Sequence, residues 1–182
     1  GRDENFYEWA PATIVIGTGL CLAQAPDWGG SRAWLLLLVT VLATLAQIFQ
    51  VSGLVRDSFY NASLITYSFA LFALGRPEAL WIAALSNIFA WLRGRKHIPW
   101  YAQAFNIGTL VIPLSAADLT YQLVTANQEL HNLLNVLGIL AAAMIFISLN
   151  HFMVGIVHWL VEGQRFASSG MFDRVHFLAD TT

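Results

Sequence analysis

The chain has 182 residues, 57% of them hydrophobic and only 11% charged, with a formal net charge of −2 and one cysteine. Soluble domains average about 25% charged residues, so this balance and a mean hydropathy of +0.60 indicate an integral membrane protein. Nucleic acid is excluded as a partner, because no sufficient basic tract is present, and the lone Cys21 excludes an internal disulfide or a cysteine-built metal site.

The first ten residues, "GRDENFYEWA", are acidic and aromatic, whereas a signal peptide is basic and then apolar. An opening Gly1 in place of Met reads as a processed or incompletely represented chain. Six apolar segments follow, at 11–25, 33–49, 58–74, 78–92, 104–124 and 132–161. In the first, "GTG" (Gly17 to Gly19) is close-packing material and Cys21 a small buried residue. "APDWGGSR" separates the first two segments, and "QVSGLVRDS" is a mixed linker, extended or amphipathic, after the second. "GRP" (Gly75 to Pro77) stops the third helix and starts the fourth, with Pro77 suited to a first helical turn. "RGRKHIP" precedes the fifth segment, in which Pro113 predicts a kink and a freed carbonyl, and "TANQELHN" precedes the sixth. A spanning helix needs ~20 residues, so the first and fourth segments are short, whereas a helix over His131 to Val161 would reach about 45 Å and project or tilt. Residues 163–182 are expected to form a cytoplasmic segment of the same single domain, 1–182. The chain has no internal repeat.

Basic residues set the expected orientation. With the N-terminus inside, six crossings place Arg2, Arg56, Arg93, Arg95, Lys96, Arg165 and Arg174 inside, and only Arg32 and Arg76 outside. The tryptophans fit the same frame, Trp9, Trp91, Trp100 and Trp159 at the inner boundary and Trp28, Trp34 and Trp81 at the outer one. The expectation is an all-α, polytopic protein with six transmembrane helices, both termini inside, in a bacterial cytoplasmic (inner) membrane.

Polar residues at membrane depth carry the functional question, because lipid offers them no partners. Asp118 lies about two turns from the outer end of its helix. Its plainer reading is an interfacial carboxylate reached by water, and its functional reading is a ligand contact in an outward-facing cavity. Asn87 beside Ser86, Asn106 one turn after Gln103, and Asn150 supply three amides from three segments. They read first as interhelical hydrogen-bonding glue and second as the lining of a polar ligand pocket. His151 and His158 lie two turns apart in "SLNHFMVGIVHWLVEG", so about 10 Å separates them along the axis and they cannot share one ion. His158 reads as part of an interfacial anchor with Trp159 and Glu162. No metal or cofactor is expected. A tetrapyrrole pigment held by one histidine, His151 or His158, is the alternative. GxSxG, HExxH, Walker A and GxGxxG motifs are all missing, so the chain is not expected to be an enzyme.

Leu74-Gly75 ends one helix, Arg93 to Lys96 form a basic turn, Pro99-Trp100-Tyr101 and Phe105-Asn106 open the next helix, and "VEGQ" follows the sixth. In these features the stretch from Ser63 to Gly163 resembles the N-terminal membrane domain of bacterial sensor proteins that carry cytoplasmic HD-GYP or GGDEF domains. The layout is also similar to the six-helix substrate-binding components of ECF vitamin transporters. The first resemblance implies a non-enzymatic membrane input module that senses a small or lipophilic ligand and passes its state to a cytoplasmic effector. That pattern continues through further membrane helices into the effector, whereas this sequence stops at Thr182, as a fragment or as a subunit of a larger assembly. The expected partners are the lipid bilayer and an effector domain or partner membrane subunits. The alternative functions are an accessory subunit of a photosynthetic or respiratory complex and the substrate-binding component of a transporter. Asp118, Asn87, Asn106, Asn150 and His151 are the candidate ligand-binding residues.

Overall fold

The computed structural model describes residues 2–26, 30, 32–49, 51–52, 59–60, 62–94, 100–126 and 131–162, with side chains over 10–26, 30, 32–49, 62–93, 100–126 and 133–156. Among them are six α-helices: α1 (Arg2–Leu22), α2 (Ala33–Ile48), α3 (Ser63–Ala73), α4 (Arg76–Gly94), α5 (Trp100–Thr125) and α6 (His131–Glu162). A two-stranded antiparallel hairpin lies between α2 and α3, with β1 (Val51–Ser52) paired to β2 (Phe59–Tyr60) in the register Val51 to Tyr60 and Ser52 to Phe59.

The helices are not uniform in reach. Trp100–Thr125 and Leu133–Ile156 are long and apolar enough to cross a membrane, whereas Ala10–Leu22, Ala33–Ile48 and Ser63–Ala73 are shorter apolar helices. The third segment, expected from Ser58, starts as a helix only at Ser63, because Phe59 and Tyr60 give their backbone to the hairpin. Its 11 helical residues rise about 16 Å, roughly half of a hydrocarbon core. The α3–α4 turn is closed by the Gly75 N–H donating to the Ala70 carbonyl at 3.1 Å, with Gly75 at φ 119°. A β-carbon would be strained in that left-handed conformation, so glycine is the residue that allows so tight a reversal. Pro77 follows in the first turn of α4, where a missing N–H costs nothing. Pro113 lies inside α5, which continues through it to Thr125.

The bundle is arranged around α4 and α5. The helix α4 buries Ala79, Leu80, Ile82, Ala83, Ala84, Ser86 and Asn87. The helix α5 packs on α1, α3, α4 and α6. Its crossing with α1 is a close one: a β-carbon added at Gly108 would stand 2.7 Å from the Thr13 carbonyl oxygen, and one at Gly17 would stand 2.7 Å from the Gly108 α-carbon. Gly19, by contrast, has open space around it.

The outer surface inverts the soluble pattern. On α2, Leu36, Val39, Thr40, Ala43 and Gln47 face inward at helical spacing, while Trp34, Leu37, Leu38, Val41, Leu42 and Leu45 are exposed. On α6, Ala142 and Phe146 are buried, while Leu133, Val136, Leu137, Leu140, Met144, Ile145 and Phe152 are exposed. An apolar skin of this extent is unfavourable in water and natural in lipid. Inside are Gln47, Ser63, Ser86, Asn87, Gln103, Thr109 and Asp118, all buried.

Candidate functional site

Buried polar side chains form two clusters, one around the Tyr67 phenol and one around Arg76 and Asp118. The first surrounds the Tyr67 phenol, which is fully buried on α3. Gln47 at the end of α2 donates its Nε2 to the phenol oxygen at 2.9 Å, and Asn87 on α4 donates its Nδ2 at 3.1 Å. The Ser86 hydroxyl lies 2.8 Å away. A phenol has two lone pairs and one proton, so with both acceptor sites taken its O–H is left to donate to Ser86. Ser86 in turn donates to the Ala83 carbonyl at 3.2 Å. Asn87 also donates to that carbonyl at 2.9 Å, and Gln103 at the start of α5 donates to the Asn87 carbonyl at 3.0 Å. Four helices are joined by neutral groups in a network whose central oxygen has no vacant capacity.

The second cluster is charged. Arg76, the first residue of α4, places Nη1 3.2 Å from the Asp118 Oδ2. Gln122, one turn later on α5, donates to the same oxygen at 2.6 Å. The Arg76 Nε donates to the Gln24 Oε1 at 2.8 Å, just past the end of α1. Trp81 completes the join, its indole Nε1 lying 2.8 Å from the Gln24 carbonyl and 3.1 Å from that of Cys21. These two carbonyls lie at the C-terminal end of α1, so an α4 side chain supplies part of its cap. The pair is partly open, with side-chain exposures of 35% for Arg76 and 12% for Asp118.

The five candidate ligand residues are therefore not brought together. Asp118 belongs to the charged cluster and Asn87 to the neutral one. Asn106, half-buried, lies 12 positions before Asp118 on α5, about 18 Å along the axis, and its backbone carbonyl accepts the Thr109 hydroxyl at 2.8 Å. Asn150 is half-buried on α6 and joins neither cluster. His151, also half-buried, has Nδ1 2.9 Å from the Ile147 carbonyl one turn back. Since a carbonyl only accepts, Nδ1 carries the proton in the neutral ring and Nε2 carries the lone pair. His158 falls on α6, but its side chain lies outside the described residues, as do those of Trp159 and Glu162 and the whole of 163–182. Among the described residues, no group of three or more His, Cys, Asp or Glu side chains is placed to hold a metal ion.

Arg76, Gln24, Gln122, Tyr67 and Gln47 are the participants that sequence reasoning missed. Arg76 carried a weak signal, since it stands beside the Gly75 turn and precedes Pro77, but it reads as an ordinary loop charge. Tyr67 carried none, because a phenol within an apolar run resembles any buried aromatic.

An apolar exterior around a helical core that also holds buried polar clusters defines the class: a helical, membrane-associated domain. Within that class the chain belongs to the MASE9 family of membrane-associated sensor domains, whose family model matches residues 30–172. The match runs from just before α2 to beyond α6 and leaves α1 outside it. Neither the curated proteins nor the solved structures contain a match to the chain.

Proposed function

We propose that the chain is the non-enzymatic, multi-pass sensory domain of a bacterial inner-membrane protein, which binds a ligand and passes its state to a cytoplasmic effector. The observation that carries this reading is the match to a membrane-associated sensor family over residues 30–172. The six helices cross with both termini inside, so the Gly75 turn and the Arg76–Asp118 pair lie toward the outer face, and the Tyr67 cluster lies toward the cytoplasm. The sensing site is the charged cluster of Arg76, Asp118, Gln24 and Gln122, because ionisable groups within a membrane bundle mark ligand or ion sites by default. The helix α6 carries the signal inward. Its early turns pack on the end of α5, where Tyr121 donates to the Asn135 Oδ1 at 3.4 Å and a β-carbon at Gly138 would meet Thr125 at 2.9 Å.

The deciding experiment measures effector output in membranes from cells making the full-length protein. The intact domain is compared with an unrelated membrane anchor of equal helix number and with Asp118→Asn. Output should change several-fold in both. Equal output from the intact domain and the inert anchor, across growth conditions, would remove the sensory reading. Orientation is tested separately by a phosphatase fusion at the Gly75 turn, which should be active outside the cytoplasm.

A further inference from the structure

The charged cluster is built differently from a simple structural ion pair. Each charge has its own neutral amide holder: Gln24 takes the Arg76 Nε at 2.8 Å, and Gln122 gives its Nε2 to Asp118 at 2.6 Å. The Gln24 backbone is itself fixed by the Trp81 indole at 2.8 Å. The guanidinium and the carboxylate are therefore oriented by the framework, independently of each other. The contact between them is single and long by comparison, Nη1 to Oδ2 at 3.2 Å, and Oδ2 is also the oxygen that Gln122 uses. The other carboxylate oxygen and the remaining guanidinium donors are outside both contacts. All of these groups gather where α1 ends and α4 begins, and in the orientation proposed above that end of the bundle faces the outer headgroups.

Charge balance narrows the ligand class. An anion on Arg76 alone, or a cation on Asp118 alone, would draw one charge off its partner and leave the other uncompensated at a partly open site, at a cost that solvent reduces but does not remove. A ligand carrying both charges compensates both. We propose that the Arg76–Asp118 pair receives a zwitterion, an anionic phosphate or carboxylate on Arg76 and a primary ammonium on Asp118, joined by a short linker. The ammonium must keep N–H donors, since the carboxylate accepts hydrogen bonds, so a quaternary ammonium fits poorly. An ethanolamine phospholipid headgroup and a soluble amino-acid-like zwitterion share this chemistry. The proposal rests on reading this cluster as the sensing site.

The test uses the purified 182-residue chain and needs no effector. Tryptophan fluorescence, with the Trp81 contribution taken as the difference from Trp81→Phe, follows titration with phosphoethanolamine, glycine, phosphocholine, inorganic phosphate and ethanolamine. Native mass spectrometry follows retention of phosphatidylethanolamine against phosphatidylcholine. The expected result is about tenfold preference for a primary-ammonium zwitterion over phosphocholine and over either ion alone. Asp118→Asn and Arg76→Gln should each remove that preference. Preference seen only with the lipid assigns the headgroup as the source, and preference seen only with a free compound assigns a soluble ligand. Equal binding of all probes by the unaltered chain, absence of any binding, or a preference that survives both substitutions overturns the proposal. Because binding is read without the effector, binding without a change in output would sink the sensory reading and leave this one standing.

Discussion

The two polar clusters use the same materials, amides and hydroxyls on facing helices, but to opposite ends. The Tyr67 cluster is neutral and enclosed, and every hydrogen-bonding position of its central oxygen is taken. The Arg76–Asp118 cluster is charged and partly exposed, and its central contact is a single 3.2 Å approach. A saturated network resists change, because any shift leaves a buried polar group without a partner. An incompletely used ion pair can exchange its partner for another at little cost. The first cluster is suited to holding α2, α3, α4 and α5 in register, and the second to responding.

A third feature separates the two experimentally. Gly108 lies on α5 between Gln103 of the neutral cluster and Asp118 of the charged one, and it lets α1 approach closely. A methyl group there meets the Thr13 carbonyl oxygen at 2.7 Å and the Thr13 Cγ2 at 2.8 Å, and backbone on both sides cannot give way cheaply. Gly108→Ala should destabilise the domain by about 3 kcal/mol, the upper end for overpacking. Only the charged cluster draws on α1, through Gln24, so its geometry should loosen while the Tyr67 cluster stays intact. Cys21, buried on α1 and the only cysteine in the chain, reports this: its alkylation rate in detergent should rise sharply in Gly108→Ala and stay unchanged in Gly19→Ala. Equal rates in both variants would show that α1 is not held at this crossing.

Tyr67→Phe is the converse. It removes the oxygen that binds α3 to Gln47, Ser86 and Asn87, while leaving the ring and its packing. Interhelical hydrogen bonds in membrane proteins average about 0.6 kcal/mol, so three of them predict a loss of about 2 kcal/mol. Thermal denaturation in a fixed detergent measures it. Cys21 alkylation should not change, since no α1 side chain takes part. A rise in labelling as large as that of Gly108→Ala would mean the two clusters are one cooperative unit.

Much of the helical framework is legible in the sequence, and the reasons are local. Apolar runs and Gly or Pro breakers reveal where helices lie, and "GRP" marks the α3–α4 reversal directly. The start of α3 is not legible, because Phe59 and Tyr60 are as apolar as the helix they precede, and only their pairing with β1 distinguishes them. Of the candidate site proposed here, half is legible in the sequence. A carboxylate in an apolar segment is conspicuous, so Asp118 stands out. Its partner Arg76 is remote in the chain, and nothing local says that α4 and α5 place them together. Asn87, Asn106 and Asn150 are indistinguishable as letters, but only Asn87 faces the Tyr67 phenol. Which face of a helix turns inward depends on its neighbours, and that information is spread over the whole bundle.

Asp118→Asn should cost about 1 kcal/mol or less, because a partly exposed ion pair is screened and the amide can still accept from Gln122. Its effect on ligand response should far exceed its effect on denaturation temperature, the reverse of Tyr67→Phe. A large loss of stability with normal response would exchange the roles assigned to the two clusters.

The smallest effect is expected at His151. Its Nδ1 bonds back to the Ile147 carbonyl of its own helix, and the side chain is half-buried on α6. His151→Gln should shift stability by less than about 1 kcal/mol. The residue has a second use for this comparison, since a pigment bound through the imidazole would place the responsive chemistry on α6 and away from Arg76 and Asp118. The absorption spectrum of the purified chain decides between these. A colourless protein keeps the charged cluster as the responsive site. A visible band that His151→Gln abolishes would move it to α6.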